Sequence, residues 1–386
     1  CGNNKKECNE ECDGTDTGTC TPEETCLPDC TCDTGGSGDG YLGISMPGDW
    51  RPFNDASPWN TLIPTDAPTH PDSAAIMDTI ASATANIRFA ESFTPPMHVI
   101  NSGLDISSYY FDSIYSSIYK YSHTTPPFNP DADGDSITDA KYAFDPDLTY
   151  PEPTPDGHII LVDLKDPLQP IAVEVSKYEG LKSSDTVSIS TFNIWNLTGP
   201  GIVTYRDGDN YQVAGGRGAG VPVIGGSIRP EEIDIGEIRH ALAFIFSLNR
   251  DGSVLYPFGY RNDGRESGNQ YPIEGMQLQL DPSLTDADFN AWGLNPQSKI
   301  VARALQRYGA VDVDNGGAMA FQPQLLGPDK DSHLAAWEAL FPGFYANIKK
   351  IPILSSRCSF PHGTSSTGSC FRVIDTTVTL DARLIH

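Results

Sequence analysis

Positive charge is scarce in this chain. Its 386 residues hold 25 Lys and Arg against 51 Asp and Glu, a formal net charge of -26. Binding phosphate backbones or anionic lipid surfaces takes a basic patch, so nucleic acid is a poor partner and neutral polymers or divalent cations fit better. Long apolar runs are missing as well. ALAFIF, from Ala241 to Phe246, is among the longest and falls far short of the roughly 20 residues that span a bilayer. Familiar catalytic signatures are absent. GGRGAG at 215–220 leads into Val-Pro-Val and not into a helix, so it is no dinucleotide or P-loop fingerprint. The chain contains no G-x-S-x-G elbow, no H-E-x-x-H and no C-x-x-C-H.

Cysteine is missing from everything between Cys32 and Cys358. Seven cysteines crowd the start (Cys1, Cys8, Cys12, Cys20, Cys26, Cys30, Cys32), and Cys358 and Cys370 flank a loop of Ser, Gly, Thr, His and Pro. Such a distribution suits a disulfide-stapled module in an oxidising, extracellular or cell-surface setting. Cys358 and Cys370 are expected to pair, and closing so short a loop contributes roughly 2–3 kcal/mol. Seven is odd, so one early cysteine does something else. Cys1 as a lipid-bearing first residue of a bacterial lipoprotein is one reading, and a cysteine left without its partner is the other. Matched C-x-x-C pairs for zinc are lacking.

What is there sorts into three parts. Residues 1–33 form the cysteine-rich module and 34–40, containing GGSGDG, a flexible linker. The chain is 38% hydrophobic, and residues 41–386 carry a core's worth of apolar side chains with no internal repeat. Helices are expected over 72–87, over 230–237 with Pro at the first position, and over 295–308 with an Asn cap and Gly309 as its stop. Strands are expected on either side of a Pro-containing turn over 158–175, over 186–195 and over 240–246. In AVDVDNGGAMAF at 310–321, two alternating Asp residues run into Asn-Gly, the strongest short hairpin signal. Strands outnumber helices and no βαβ rhythm is visible. The expected fold is mainly β, a sandwich or distorted barrel with a few short helices.

Several polar sets carry possible chemistry. In NPDADGDSITDA at 129–140, Asp131, Asp133, Asp135 and Asp139 alternate around Gly134, the hard-oxygen arrangement that Ca²⁺ takes. The stretch resembles the calcium loops of thrombospondin type 3 and dockerin-like repeats, with Ser136 where Gly is usual. That resemblance implies a structural Ca²⁺. Elsewhere, Glu174, His240, Asp312 and Asp314 are the candidate catalytic residues. Paired carboxylates about 5–5.5 Å or 6.5–9.5 Å apart hydrolyse glycosidic bonds, and crowding raises one pKa into the range of a general acid. Trp59, Asn60, Arg261, Glu274 and Asn315 are candidate substrate contacts. A lyase would use His240 or a Tyr as base, with Arg or a cation neutralising a uronate.

Two resemblances remain. CGNNKKECNEECDG at 1–14 resembles short cysteine-rich modules on secreted surface proteins of myxobacteria and their relatives. The blocks SPWNTLIPTDAPTHPDSAAI, GHIILVDLKDPLQPIAVEV, GEIRHALAF, YPIEGMQLQLDPS and ALQRYGAVDVDNGGA resemble, in sequence and order, a group of secreted bacterial proteins common in actinobacteria. The likeness implies a secreted single domain with Trp59, Asn60, Glu174, His240, Glu274, Asp314 and Asn315 as distinctive polar positions. The leading expectation is a secreted or surface-anchored polysaccharide-degrading enzyme of the glycoside hydrolase type. The alternatives are a carbohydrate-binding adhesion protein and a polysaccharide lyase.

Overall fold

The computed structural model describes residues 25–26, 32–33, 46, 48–100, 106–118, 129–146, 149–166, 168–203, 216–252, 254–317, 319–361 and 367–376. The chain forms two compact units, Cys1–Tyr41 and Leu42–His386. In the first, β1 (Thr25–Cys26) pairs antiparallel with β2 (Cys32–Asp33). The rest of the cysteine-rich stretch and the linker expected over 34–40 lie outside the described residues.

The larger unit is built on two sheets. In the first, β4 (Met97–Ile100), β7 (Ile159–Asp163), β8 (Ile171–Ser176), β10 (Thr186–Asn196), β5 (Ser108–Ile118) and β6 (Tyr142–Ala143) lie side by side, and β9 (Gly180–Ser183) pairs with β10. The second runs β17 (Phe371–Val373), β12 (Gln277–Leu280), β13 (Ala310–Asn315), β11 (Leu242–Phe246), β14 (Ala320–Phe321) and β3 (Arg88–Phe89). The expected strand–turn–strand over 158–175 is β7–β8, antiparallel with Ile160 opposite Glu174.

Alternation along β7 fills two cores. Ile160 and Val162 join Val99, Ala172 and Trp195 of their own sheet with Ala243, Val311 and Val313 of the other. Ile159 and Leu161 point to the opposite face, with Phe111, Val173, Val175, Ile189 and Ile194. The first core is the filling of a sandwich, and each Ile or Val fully buried in it contributes about 1.5–3 kcal/mol. The fold is therefore mainly β with few short helices. Among the described residues no sheet closes into a barrel.

The helices are α1 (Ser73–Ala83), α2 (Pro230–Ile235), α3 (Asp286–Ala291), α4 (Pro296–Arg307), α5 (Lys330–Leu340) and α6 (Phe344–Ile348). Helix α4 delivers the chain into the central strand β13. The Asn295 side chain accepts the Ser298 N–H at 2.9 Å, Pro296 sits in the first turn, and Ala304 and Leu305 are buried. The helix stops at Gly309, whose φ is +74° and whose missing side chain would meet the Leu278 carbonyl oxygen at 2.2 Å. Only glycine lets the chain turn there and enter β13.

Two expectations change. Asn315-Gly316 makes no hairpin, because β11 lies between β13 and β14. β13 runs parallel to β11 and β14 antiparallel to it. The turn residues instead carry the chain across one strand, with φ positive at Gly317 and not at Asn315 or Gly316. Parallel pairing is also common here (β4–β7, β5–β10, β11–β13, β3–β14), although the sequence shows no regular strand–helix alternation. The expected Cys358–Cys370 disulfide is present, with Cα atoms 4.8 Å apart. It stands beside the small antiparallel pair β15 (Leu354–Ser355) and β16 (Gly368–Ser369).

Candidate functional site

A bulge shapes the end of β13. Phe244 faces Asp312 and the next residue, Ile245, faces Asp314, so Val313 is the extra residue. Beyond it the segment leading into β12 continues the ladder: Gly275 N–H donates to Asp312 O at 2.7 Å, and Asp312 N–H donates to Met276 O at 2.9 Å. Glu274 is thereby set beside Asp312. A third segment docks on the same strand through Ala219 N–H to Val313 O, 2.9 Å. Backbone N–H groups of Tyr260 and Arg261 both donate to Ala219 O, and the Arg261 side chain donates to Arg217 O at 2.8 Å.

These contacts gather four carboxyl groups. A side chain added at Gly218 would lie 2.7 Å from Asp263 Oδ1, 2.8 Å from Asp314 Oδ1 and 3.1 Å from Glu274 Oε2. Three carboxyl oxygens thus converge over one bare Cα, with Gly218 itself only half-buried and Asp263 exposed. Asp312 completes the set from beneath. It is fully buried, with the Asn249 amide donating to Oδ1 at 3.2 Å, while Oδ2 has no hydrogen-bond partner. Glu274 accepts only a long bond on Oε1, from Asp263 N–H at 3.4 Å, and its Oε2 is unpartnered.

Crowding and burial set the charges. Burial, the adjacent Asp263 carboxyl and repulsion from Asp312 and Asp314 push the Glu274 pKa up to about 10. The crowded carboxyls favour keeping a proton among them at neutral pH. Burial also holds Asp312 well above the ordinary carboxylate value. Asp314 is raised by burial and by Asp263, and is pulled back by the Gly218 N–H, His158 and Arg217.

A buried layer lies behind this group. Arg217, 2% exposed, donates to Gly225 O at 2.6 Å, and Glu174, Asp314 and Glu152 oppose the loss of its charge on burial. Glu174 is also buried, 3% exposed, in the face of β8 that looks at the second sheet. Its two oxygens take the Trp195 indole N–H at 3.0 Å and the Ile224 N–H at 2.8 Å. Burial raises its pKa, and the Val223 and Ile224 N–H groups, Arg217 and Trp195 pull against that rise.

The expected site residues therefore separate. Asp312, Asp314 and Glu274 come together, Asn315 donates to Asp263 O at 3.3 Å, and Arg261 supports the floor. Glu174 lies behind them with both oxygens engaged, so it is a structural anchor and not a free acid or base. His240 is elsewhere in the fold. Its Nε2 is 3.0 Å from Glu232, its Nδ1 is 2.8 Å from Ala241 O, and it is 1% exposed. Trp59 is 1% exposed, donates its indole N–H to Gly201 O at 2.8 Å and packs edge-on against Phe258. The Asn60 amide N–H group donates to the carbonyls of Pro52, Phe53 and Asn54. Neither can line a subsite, because both are consumed in holding the 46–60 segment against the core.

Asp263, Asn249, Arg217, His158 and Glu152 escape the sequence reading. Their one signal is the glycine spacing of GGRGAG, which marks a close backbone approach even where no phosphate is bound. In the acidic loop, carboxylate oxygens of Asp131, Asp133 and Asp135 lie within 4.8 Å of one another. Asp139 is separate, accepting the Ala132 N–H at 2.7 Å. Ser136 takes φ +73°, a left-handed conformation that favours Gly. Comparison with known protein families, with curated proteins and with solved structures finds no match for this chain.

Proposed function

We propose that the protein hydrolyses glycosidic bonds in a polysaccharide outside the cell or at its surface. The observation that carries this reading is the convergence of buried Glu274 Oε2 with Asp314 Oδ1 and Asp263 Oδ1 over the half-buried Gly218, where burial and crowding push the Glu274 pKa upward. Glycoside hydrolysis needs one carboxyl that still holds its proton at working pH and one carboxylate near the developing positive charge. Glu274 protonates the leaving oxygen, and Asp314 faces the sugar ring carbon as it becomes cationic. Burial first, and then the neighbouring Asp263, Asp312 and Asp314 carboxyls, raise the Glu274 pKa. The Cys358–Cys370 disulfide supports an oxidising compartment, and the net charge of -26 supports a neutral polymer over an anionic one.

The Asp131, Asp133 and Asp135 group offers hard oxygen donors alone, the donor set that Ca²⁺ prefers. A calcium ion there would be structural, since the loop is tied to β5 through Ser113 N–H to Ser136 O at 2.8 Å and shares nothing with the Glu274 group.

The test is a screen of the full chain on a broad polysaccharide panel, reading new reducing ends and ultraviolet absorbance in parallel. Reducing ends without absorbance, lost in Glu274→Gln and Asp314→Asn, support the hydrolase. Absorbing, unsaturated products would replace it with a lyase. Silence on every polymer, with one of them retained in a pull-down, would leave a binding protein.

A further inference from the structure

We propose that His158 is a second catalytic residue of this site, the general base that takes a proton from the attacking water, with Glu152 as its positioning residue. The proposal rests on the hydrolase reading and supplies the base which that reading leaves unassigned.

His158 stands directly before β7. Its Nδ1 is 2.8 Å from Glu152 Oε2, and the Glu152 N–H donates to His158 O at 2.9 Å, so side chain and backbone lock the two residues together. Glu152 is 3% exposed, and its other oxygen accepts the Thr154 hydroxyl at 3.1 Å. A buried carboxylate on Nδ1 fixes the tautomer with the proton there, leaving Nε2 as the bare nitrogen. The hydrogen bond to Glu152 engages Nδ1, and the imidazole remains 18% exposed.

Position ties this nitrogen to the carboxyl cluster. His158 Nε2 is 4.0 Å from the place a Gly216 side chain would occupy, and Asp314 Oδ1 is 2.8 Å from the corresponding place at Gly218. The two glycines are two residues apart, at most about 7 Å of chain. Val223 Cγ2 packs the Gly216 position at 2.9 Å with the imidazole next to it, and carboxyl oxygens crowd the Gly218 position, so one short stretch of chain carries the imidazole near one glycine and the carboxyls near the other.

The charges acting on His158 come from two elements: Glu152 and Asp156 in its own segment, and Asp314 on β13. Burial lowers the His158 pKa, and the bond to Glu152 with the charges of Glu152, Asp156 and Asp314 outweighs it, so the net direction is upward. A stronger base results, competent once the pH exceeds that raised value.

Every proton in the step has a destination. Water oxygen attacks the anomeric carbon, and one of its protons passes to His158 Nε2. The bond from that carbon to the bridging oxygen breaks, its electron pair staying on the bridging oxygen, which takes the proton of Glu274. Proton return from His158 to Glu274 through solvent resets the site.

Two measurements on the full chain test this. Imidazole nitrogen NMR of the protein without substrate should show His158 protonated on Nδ1 in its neutral form, with Nε2 bare. A proton on Nε2 instead would overturn the assignment. On the polymer that the wild type cuts, His158→Asn should lower kcat about 100-fold or more with KM little changed. Glu152→Gln should keep part of that activity and move the acidic limb of the pH profile to lower pH, because the group that raises the His158 pKa is gone. An unchanged rate in His158→Asn removes the base role and leaves the hydrolase standing. A wild type that cuts no polymer removes both.

Discussion

Glu274 Oε2 and Asp314 Oδ1 arrive from different segments of the chain and meet over the same face of Gly218. The bulge at Val313 turns the end of β13, and the Gly275 N–H bond to Asp312 O sets Glu274 alongside. The meeting of these carboxyls is a product of the sheet's irregularity.

That relationship gives Glu274 an unusual pH signature. Its ordinary value is 4.5, and its folded value is about 10. Below pH 4.5 both folded and unfolded chains hold the proton. Between 4.5 and about 10 only the folded chain does, so the stabilisation is full at low pH and is lost as pH rises through that window. Glu274→Gln is neutral throughout and escapes this loss. Urea unfolding from pH 5 to pH 9 should show the variant gaining on the wild type as pH increases. A constant difference would mean that Glu274 is ionised in the folded protein.

Gly218 is the second test of the geometry. Its φ is not in the left-handed region, so alanine is not strained by its backbone. The added methyl group nevertheless enters the space shared by three carboxyl oxygens. Gly218→Ala should cost about 1–3 kcal/mol in thermal or urea unfolding, the usual range for overpacking. Polymer cleavage should fall much further than the folded fraction does. Full activity in a folded Gly218→Ala variant would show that the substrate does not approach this floor.

Much of the scaffold was legible because its signals are local. Asn295, Pro296 and Gly309 bracket α4 by capping rules, and HIILVDLKDPLQPIAVEV alternates cleanly enough to give β7 and β8. The Asn315-Gly316 hairpin failed because a turn dipeptide reports local φ preference and says nothing of which strand lies alongside. The site was half legible. Asp312 and Asp314 stood out as carboxylates in a strand-like block and Glu274 as a candidate substrate contact, whereas Asp263 sits in a loop and His158 precedes an apolar run. Their meeting depends on contacts between residues far apart in sequence, such as Gly218 with Asp314. His240 and Trp59 are buried outside the carboxyl cluster, and a polar or aromatic residue in a distinctive block serves packing as readily as chemistry.

The acidic loop makes a prediction separable from catalysis. Excess Ca²⁺ should raise the unfolding temperature relative to chelator-treated protein, and a hundredfold excess over Kd corresponds to about 2.7 kcal/mol. Burial and the charges of Asp135 and Asp133 raise the Asp131 pKa, so binding should weaken as pH falls towards the carboxylate range. Asp133→Asn should abolish the shift, while Asp139→Asn, which removes only the cap on Ala132, should keep most of it. Equal unfolding temperatures with calcium and with chelator would dismiss the ion.

The Arg229, Glu232 and His240 group separates structure from function most sharply. Arg229 Nη2 is 3.2 Å and His240 Nε2 3.0 Å from Glu232 Oε1, and all three side chains are at most 2% exposed. The Arg229 guanidinium also donates to Trp50 O, tying the 46–60 segment to α2. Burial alone would raise the Glu232 pKa, but Arg229 and His240 overcome it and hold the carboxyl below its ordinary value. Its stabilisation is therefore complete above about pH 4.5 and is lost as pH falls through the lowered folded value. Glu232→Gln leaves a buried guanidinium without its counter-charge and should cost about 3–5 kcal/mol. His240→Asn should cost less, since the Arg229–Glu232 pair survives. In both variants kcat per folded molecule should match the wild type, measured by activity against the folded fraction from circular dichroism. A His240→Asn protein that is fully folded and inactive would return His240 to the chemistry and displace the Glu274 site.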